Sequence, residues 1–194
     1  MTVLLIAGSP TAPSRSAALL DAAALRLRRR GLEVQRLTVR ELPAQALVHA
    51  QFDDAQLQRA TDQVAAARAV VVATPVYKAA YSGLLKTFLD LLPQSALKGK
   101  TVLPLATGGS AHHMLALDYA LRPVLGALGA RHILPGVYAS DAQVTLTPEG
   151  GWQLQVDIAD RLAEAVDTLQ AEAFPSTARS GFDPIHFSRV RCSV

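Results

Sequence analysis

Val3-Leu4-Leu5-Ile6-Ala7-Gly8-Ser9-Pro10-Thr11-Ala12-Pro13-Ser14-Arg15-Ser16 decides the architecture. Val3 to Ala7 form an apolar run of strand length with no polar alternation, the mark of a strand covered on both faces. Gly8 to Ser16 are rich in glycine, proline and hydroxyls, so they read as a connection. Beyond them, Ser16 to Arg30 carries Leu19, Leu20, Ala23, Ala24 and Leu27 at helical spacing, and Gly31 stands where a left-handed C-cap belongs. A buried strand feeding an amphipathic helix is the first half of a βαβ unit.

The same alternation runs through the rest of the chain. Further apolar runs at Val34 to Leu37, Ala69 to Ala73, Thr101 to Ala106 and Ile133 to Tyr138 bring the strand count to five. Helices are expected over Asp53 to Arg68, Gly83 to Leu92 (stopped by Pro93), Ala111 to Leu128 and Val156 to Phe174. Pro123 removes a backbone hydrogen bond inside the Ala111 to Leu128 stretch, so a kink or π-bulge is expected there. Pro104 conflicts with a central strand, because proline cannot donate to the ladder. The fold class implied is α/β, a doubly wound five-stranded parallel sheet with helices on both faces. One domain over residues 1–174 is expected, followed by a tail, Pro175 to Val194, of mixed Ser, Gly, Pro and Arg that reads as loosely packed or subunit-contacting.

Composition narrows the function classes. The chain has 194 residues, half of them hydrophobic, enough for one well-filled core and too apolar for extensive disorder. Its formal charge of +3 suits anionic ligands, but a small excess of that kind is a weak footprint for nucleic acid, and none is expected. The single Cys192 excludes an intrachain disulfide and any site built on several thiolates, which points to the cytoplasm. The N-terminal apolar run is too short for a membrane span and lacks a basic n-region. Arg26, Arg28, Arg29 and Arg30 lie at a helix C-terminus, where cations complement the macrodipole. His112 and His113 are adjacent and do not share a helix face, so no metal site is expected.

Ligands of open parallel sheets bind outside the carboxyl ends of the strands. Three connections here have suitable chemistry. In the first, Ser9, Ser14, Arg15 and Ser16 combine hydroxyls, a guanidinium and a helix N-terminus, which together favour a phosphate dianion. The plain alternative is a Ser/Pro-rich N-cap, and neither GxGxxG nor GxxxxGK[ST] is present. The second, Thr74 to Gly83, offers Pro75, Val76, Tyr77 and Lys78 as a wall, edge and positive charge for a planar ring, or else is an ordinary βα loop. In the third, Thr107-Gly108-Gly109-Ser110, two glycines let backbone N–H groups approach a ring edge on which charge develops; a tight turn is the alternative.

The segments AGSPTAPSRS, TPVYKAAYSGLLKTFLDLLP and LPLATGGSAHHMLALDYALRPVLGALGA resemble the NAD(P)H-dependent FMN reductases of flavodoxin-like fold, over about Met1 to Leu169. Within that family they look most like the alkanesulfonate-monooxygenase reductase branch. The resemblance implies hydride transfer from NADPH to FMN and delivery of reduced flavin to a separate FMNH2-dependent monooxygenase that desulfonates organosulfonates for sulfur acquisition. By matching positions it implies FMN phosphate at Ser9, Arg15 and Ser16, the ring at Pro75, Val76, Tyr77 and Lys78, and the pyrimidine edge at Thr107, Gly108 and Gly109. It also implies a homo-oligomer, dimer or tetramer, with Leu84 to Leu92 and the Ala111 to Leu128 helix at interfaces. In the resembling branch a tyrosine matching Tyr119 is inserted on this helix, accompanies a π-bulge and is associated with flavin release. A plain interfacial tyrosine is the alternative.

No residue is assigned a strict catalytic role, since hydride transfer between two organic cofactors needs positioning more than proton transfer. Two other readings share the fold: a quinone or azo reductase that retains FMN, and a flavodoxin-type electron carrier. The sequence leaves NADPH against NADH open.

Overall fold

The computed structural model describes residues 2–175. In chain order the elements are β1 (Thr2–Ala7), α1 (Arg15–Arg29), β2 (Glu33–Thr38), α2 (Ala44–Val48), α3 (Ala55–Ala66), β3 (Ala69–Tyr77), β4 (Ala80–Tyr81) and α4 (Gly83–Asp90). They continue with β5 (Thr101–Gly108), α5 (Arg122–Ala127), β6 (His132–Ile133), β7 (Val137–Ser140), β8 (Val144–Leu146), β9 (Trp152–Leu154) and α6 (Val156–Ala173). The parallel strands lie in the order β2-β1-β3-β5-β6, with β7 also beside β5 and β4 folded back on β3. This is the flavodoxin-like winding, whose strand order reverses between β1 and β3.

The unbroken apolar runs follow from that placement. Val3, Leu5, Val71, Leu103 and Leu105 enter one buried layer with α1 and α6, while Leu4, Ile6, Val70, Val72 and Val102 enter the opposite layer with α3, α4 and α5. Successive side chains point to opposite faces, so a strand covered on both must be apolar throughout. Among the described residues no helix is long and apolar enough to cross a membrane.

Three sequence expectations need correction. Ile133 to Tyr138 is not one strand: Val102 sits opposite Ile133 but Leu105 opposite Val137, so an extra residue bulges out between β6 and β7. Pro135 and Gly136 occupy the break, and a Cβ on Gly136 would lie 2.7 Å from Leu117 Cδ1. The break also resolves the Pro104 conflict. The Val102 carbonyl accepts Leu134 N–H at 2.9 Å, so the backbone polar groups of alternate residues 102 and 104 face this side, and the missing Pro104 donor faces the bulge. Arg122 supplies donors there instead, from Nη1 to the Ile133 carbonyl at 3.0 Å and from Nη2 to the Leu134 carbonyl at 3.2 Å. Arg122→Ala removes both donors and is expected to cost about 2 kcal/mol, or about 4–8 °C in melting temperature for a chain of this size. Thermal denaturation checks this; an unchanged melting temperature would show the clamp to be dispensable.

Second, Ala111 to Leu128 is not one α-helix. It runs as a 3-10 turn (Ala111–Leu115), a π-turn (Leu117–Leu121) and then α5. The expected π-bulge therefore lies in the turn preceding Pro123, which sits at the start of α5, where its missing N–H does least harm. Third, the sheet carries more than five strand segments, and β8–β9 form a separate antiparallel hairpin. The helices expected to reach Arg68 and Leu92 end at Ala66 and Asp90. Beyond Pro175, the expected tail and Cys192 lie outside the described residues.

Candidate functional site

The carboxyl ends of β1 and β3 are tied to each other and to the start of α4 by buried hydroxyls. Ser82, the N-cap of α4, donates from Oγ to the Gly8 carbonyl and accepts Leu85 N–H at 3.1 Å. Its own N–H donates to Thr74 Oγ1 at 2.9 Å, and Thr74 Oγ1 donates to the Pro75 carbonyl at 2.9 Å. Ser82 and Thr74 are each 1% exposed, so these bonds fix the first connection to the second. Gly8 is required at this crossing, since a Cβ there would lie 2.9 Å from Leu85 Cβ and 3.1 Å from the Ala73 carbonyl.

The first connection ends in an N-cap. Ser14 Oγ accepts Ala17 N–H at 3.4 Å and lies 3.0 Å from Ser16 Oγ. The first-turn N–H groups of α1 have no acceptor within the helix, leaving donors at its positive end. Arg15 is partly committed: Nε donates to the Val144 carbonyl at 3.1 Å and Nη1 lies 3.8 Å from Asp141 Oδ2.

The second connection is a hairpin rather than a loop. β3 continues to Tyr77, and β4 pairs back with Ala80 opposite Tyr77 across Lys78 and Ala79. Both turn residues have positive φ, 49° and 64°, the signature of a primed turn. β5 likewise carries Thr107 and Gly108 as strand residues. A Cβ on Gly108 would meet Tyr138 Oη at 2.7 Å and Val76 Cβ at 3.3 Å, so only glycine fits. Tyr138 Oη donates to the Ser110 carbonyl at 2.6 Å. Burial, with the Asp141 charge behind it, pushes the Tyr138 phenol above its usual value, so at neutral pH it keeps the proton that makes this bond.

A cleft of about 170 Å³ collects Ser9, Ser14 and Arg15, then Pro75, Val76 and Tyr77, then Thr107, Gly108 and Gly109. Ser16 is buried beneath the helix start, while Lys78 and Ser110 also fall outside the lining. Thr11, Pro13, Asp141 and Leu146 line it without having been singled out by sequence. Asp141 and Leu146 arrive from the far side of β7, and no local spacing connects them with Arg15. A larger cleft of about 670 Å³ adjoins across the first connection. The smaller one is the candidate site despite its volume, because the strand ends beside the switch point converge only there. Among the described residues no group of three or more His, Cys, Asp or Glu is placed to hold a metal.

The family model for NADPH-dependent FMN reductases matches residues 1–145. The chain belongs to that family. It is 49% identical over 171 residues to an FMN reductase (NADPH) of Pseudomonas putida, covering 87% of this chain and 86% of the relative. To an FMN reductase (NADPH) of Escherichia coli it is 54% identical over 144 residues, 74% of this chain and 75% of the relative. A solved NADH:FMN oxidoreductase (EMOB), apo form, superposes with a TM-score of 0.80 at 39% identity, covering 88% of this chain and 89% of that one. The chain is thus an NADPH-dependent FMN reductase with FMN and NADPH as its cofactors.

The residues present fit a flavin. His113 Nδ1 is a buried polar atom without a protein partner, and it lies 3.6 Å from the Cβ position that Gly108 leaves empty. The Gly108 and Gly109 backbone lines the cleft, and an unpartnered ring nitrogen close behind it adds a polar group suited to a heterocycle edge.

Proposed function

We propose that this FMN reductase binds FMN with its phosphate at Ser9, Ser14, Arg15 and Ser16, its ring against Pro75, Val76, Tyr77 and Lys78, and its pyrimidine edge at Thr107, Gly108, Gly109 and Ser110. The convergence of the three strand ends on one cleft, lined by all of these residues except Ser16, Lys78 and Ser110, carries this reading. A flavin held there would supply the acceptor for the NADPH hydride. The protein's own part is positional. Donors at the α1 N-terminus and the Arg15 guanidinium hold the anionic end, and the glycine-rich end of β5 brings backbone N–H groups against the other. The Ser82–Thr74 tie holds the two connections at a fixed separation.

The reduced flavin then leaves for a separate flavin-dependent monooxygenase acting on organosulfonates. Supporting this is the π-turn at Leu117–Leu121, which presents Tyr119 79% exposed beside exposed Met114 and Leu115. Exposed Tyr77 at the cleft rim is a further apolar side chain left uncovered, and uncovered apolar side chains of this kind suit a second copy of the chain, so the working form is a dimer or tetramer. Steady-state NADPH oxidation with FMN varied is expected to saturate in FMN by a sequential pattern. Ping-pong kinetics with a quinone, at fixed flavin content, would instead establish a reductase that retains its FMN.

A further inference from the structure

We infer that Asp141 sets how tightly the site holds a phosphorylated flavin: its carboxylate competes with the FMN phosphate for the Arg15 guanidinium, so the cleft binds FMN more loosely than its donors alone would. The inference rests on the placement of the flavin phosphate at Ser9 to Ser16 proposed above. Among the described residues lining the candidate cleft, Arg15 is the one cation and Asp141 the one anion. A carboxylate works against a cleft that takes a dianion, because like charges brought together in it repel.

The turn that begins at Asp141 is held by its neighbours. Ser140 N–H and Ser140 Oγ both donate to Gln143 Oε1, at 2.9 and 3.0 Å, and Gln143 Nε2 donates to Asp157 Oδ2 at 2.7 Å. The Asp141 carboxylate takes part in none of these bonds. Its contact is with Arg15, whose Nη1 lies 3.8 Å from Oδ2, longer than a hydrogen bond, with the two side chains 44% and 47% exposed. Arg15 Nε donates meanwhile to the Val144 carbonyl at 3.1 Å. One turn, 141–144, therefore supplies Arg15 with two acceptors of different kinds. The Val144 carbonyl is backbone at the start of β8 and keeps the guanidinium beside the cleft. The carboxylate pair is loose enough to exchange for a phosphate oxygen, and the exchange leaves Asp141 uncompensated and facing the dianion. Asp141 Oδ2 also lies 3.9 Å from the position a Cβ on Gly109 would take, so the carboxylate stands within the cleft between Arg15 and the residue after β5.

Titration of FMN and riboflavin into the flavin-free wild-type protein, Asp141→Asn, Asp141→Glu and Arg15→Ala, followed by flavin fluorescence, tests this. Asp141→Asn is expected to tighten FMN about three- to fivefold, the scale of a half-exposed charge pair, and to leave riboflavin, which has no phosphate, within about twofold of wild type. The FMN gain is expected to shrink as salt is raised, because screening weakens the repulsion that the substitution removes. Asp141→Glu keeps the charge and is expected to bind both flavins as the wild type does. Arg15→Ala is expected to weaken FMN about tenfold, as loss of a charged donor does, and riboflavin far less. Unchanged or weaker FMN binding in Asp141→Asn, beside a loss in Arg15→Ala, would overturn the role of Asp141 and leave the phosphate placement intact. Equal gains for FMN and riboflavin, or the same gain in Asp141→Glu, would overturn it as well, by assigning the effect to the ring or to the shape of the turn. Wild-type FMN affinity in Arg15→Ala would overturn the phosphate placement itself, and the proposal with it.

Discussion

Deleting Tyr119 is expected to slow FMN dissociation by about tenfold or more and to leave flavin bound through purification, while the fold survives. The π-turn is marked by one wide hydrogen bond: the Arg122 N–H reaches the Leu117 carbonyl five residues back. Removing Tyr119 brings the buried Leu117 and Leu121 from four residues apart to three, and both spacings keep two side chains on one helix face. The deleted side chain is 79% exposed and contributes nothing to the core of the single chain, so the melting temperature is expected to hold within a few degrees. What changes is the segment's freedom to open. With the π-turn present, the stretch carrying Ser110 and His113 is joined to α5 through a widened turn with a poorer hydrogen-bond ladder. Healed into continuous helix, the same stretch must break more bonds to move away from the cleft. Changes of this kind fall mainly on dissociation rates. Stopped-flow flavin displacement reads the result, and an off-rate equal to wild type would reject the role given to Tyr119.

The sheet was legible because burial on both faces forces β1, β3 and β5 into apolar runs that no surface element shares. The winding followed, since each run is followed by a helix-length amphipathic stretch and crossovers of that kind make parallel pairs. The β8–β9 hairpin escaped notice because each strand spans three residues, too few for a period of two to show. Its absence from the sequence reading also hid Leu146 and the whole larger cleft. Arg122 is a different case: a basic residue beside an internal proline signals nothing locally, and its value comes only from the bulge it serves between β6 and β7. The connection residues carry the types that an anion and a ring edge would need, but hydroxyls at a helix start also make N-caps, as Ser14 does, and paired glycines also make tight turns, so type alone does not separate the readings. Their division into lining and supporting roles was not legible either. Ser16 and Ser14 look alike in sequence, yet one lines the cleft and the other is buried beneath it.

Gly108→Ala is expected to raise the KM for FMN by about 10- to 100-fold, with a smaller loss of stability. The added methyl carbon would lie 2.7 Å from Tyr138 Oη, well inside contact distance, and Val76 Cβ at 3.3 Å closes the opposite side. Tyr138 cannot yield freely, because its hydroxyl is held by the Ser110 carbonyl at 2.6 Å and its ring is 6% exposed within the core. Either that bond breaks or the end of β5 moves, and each displaces the Thr107 to Ser110 backbone from the cleft. Overpacking of this kind typically costs about 1–3 kcal/mol, and every 1.4 kcal/mol that falls on binding is about tenfold in affinity. Gly109→Ala supplies the contrast. Its Cβ would meet nothing nearer than Asp141 Oδ2 at 3.9 Å, so the fold accommodates it and any KM change reports only crowding of the bound ligand. Tyr138→Phe with Gly108→Ala separates the two routes: removing the hydroxyl makes room for the methyl, and partial recovery of KM is expected. A Gly108→Ala enzyme with wild-type KM for FMN would show that the end of β5 does not touch the flavin.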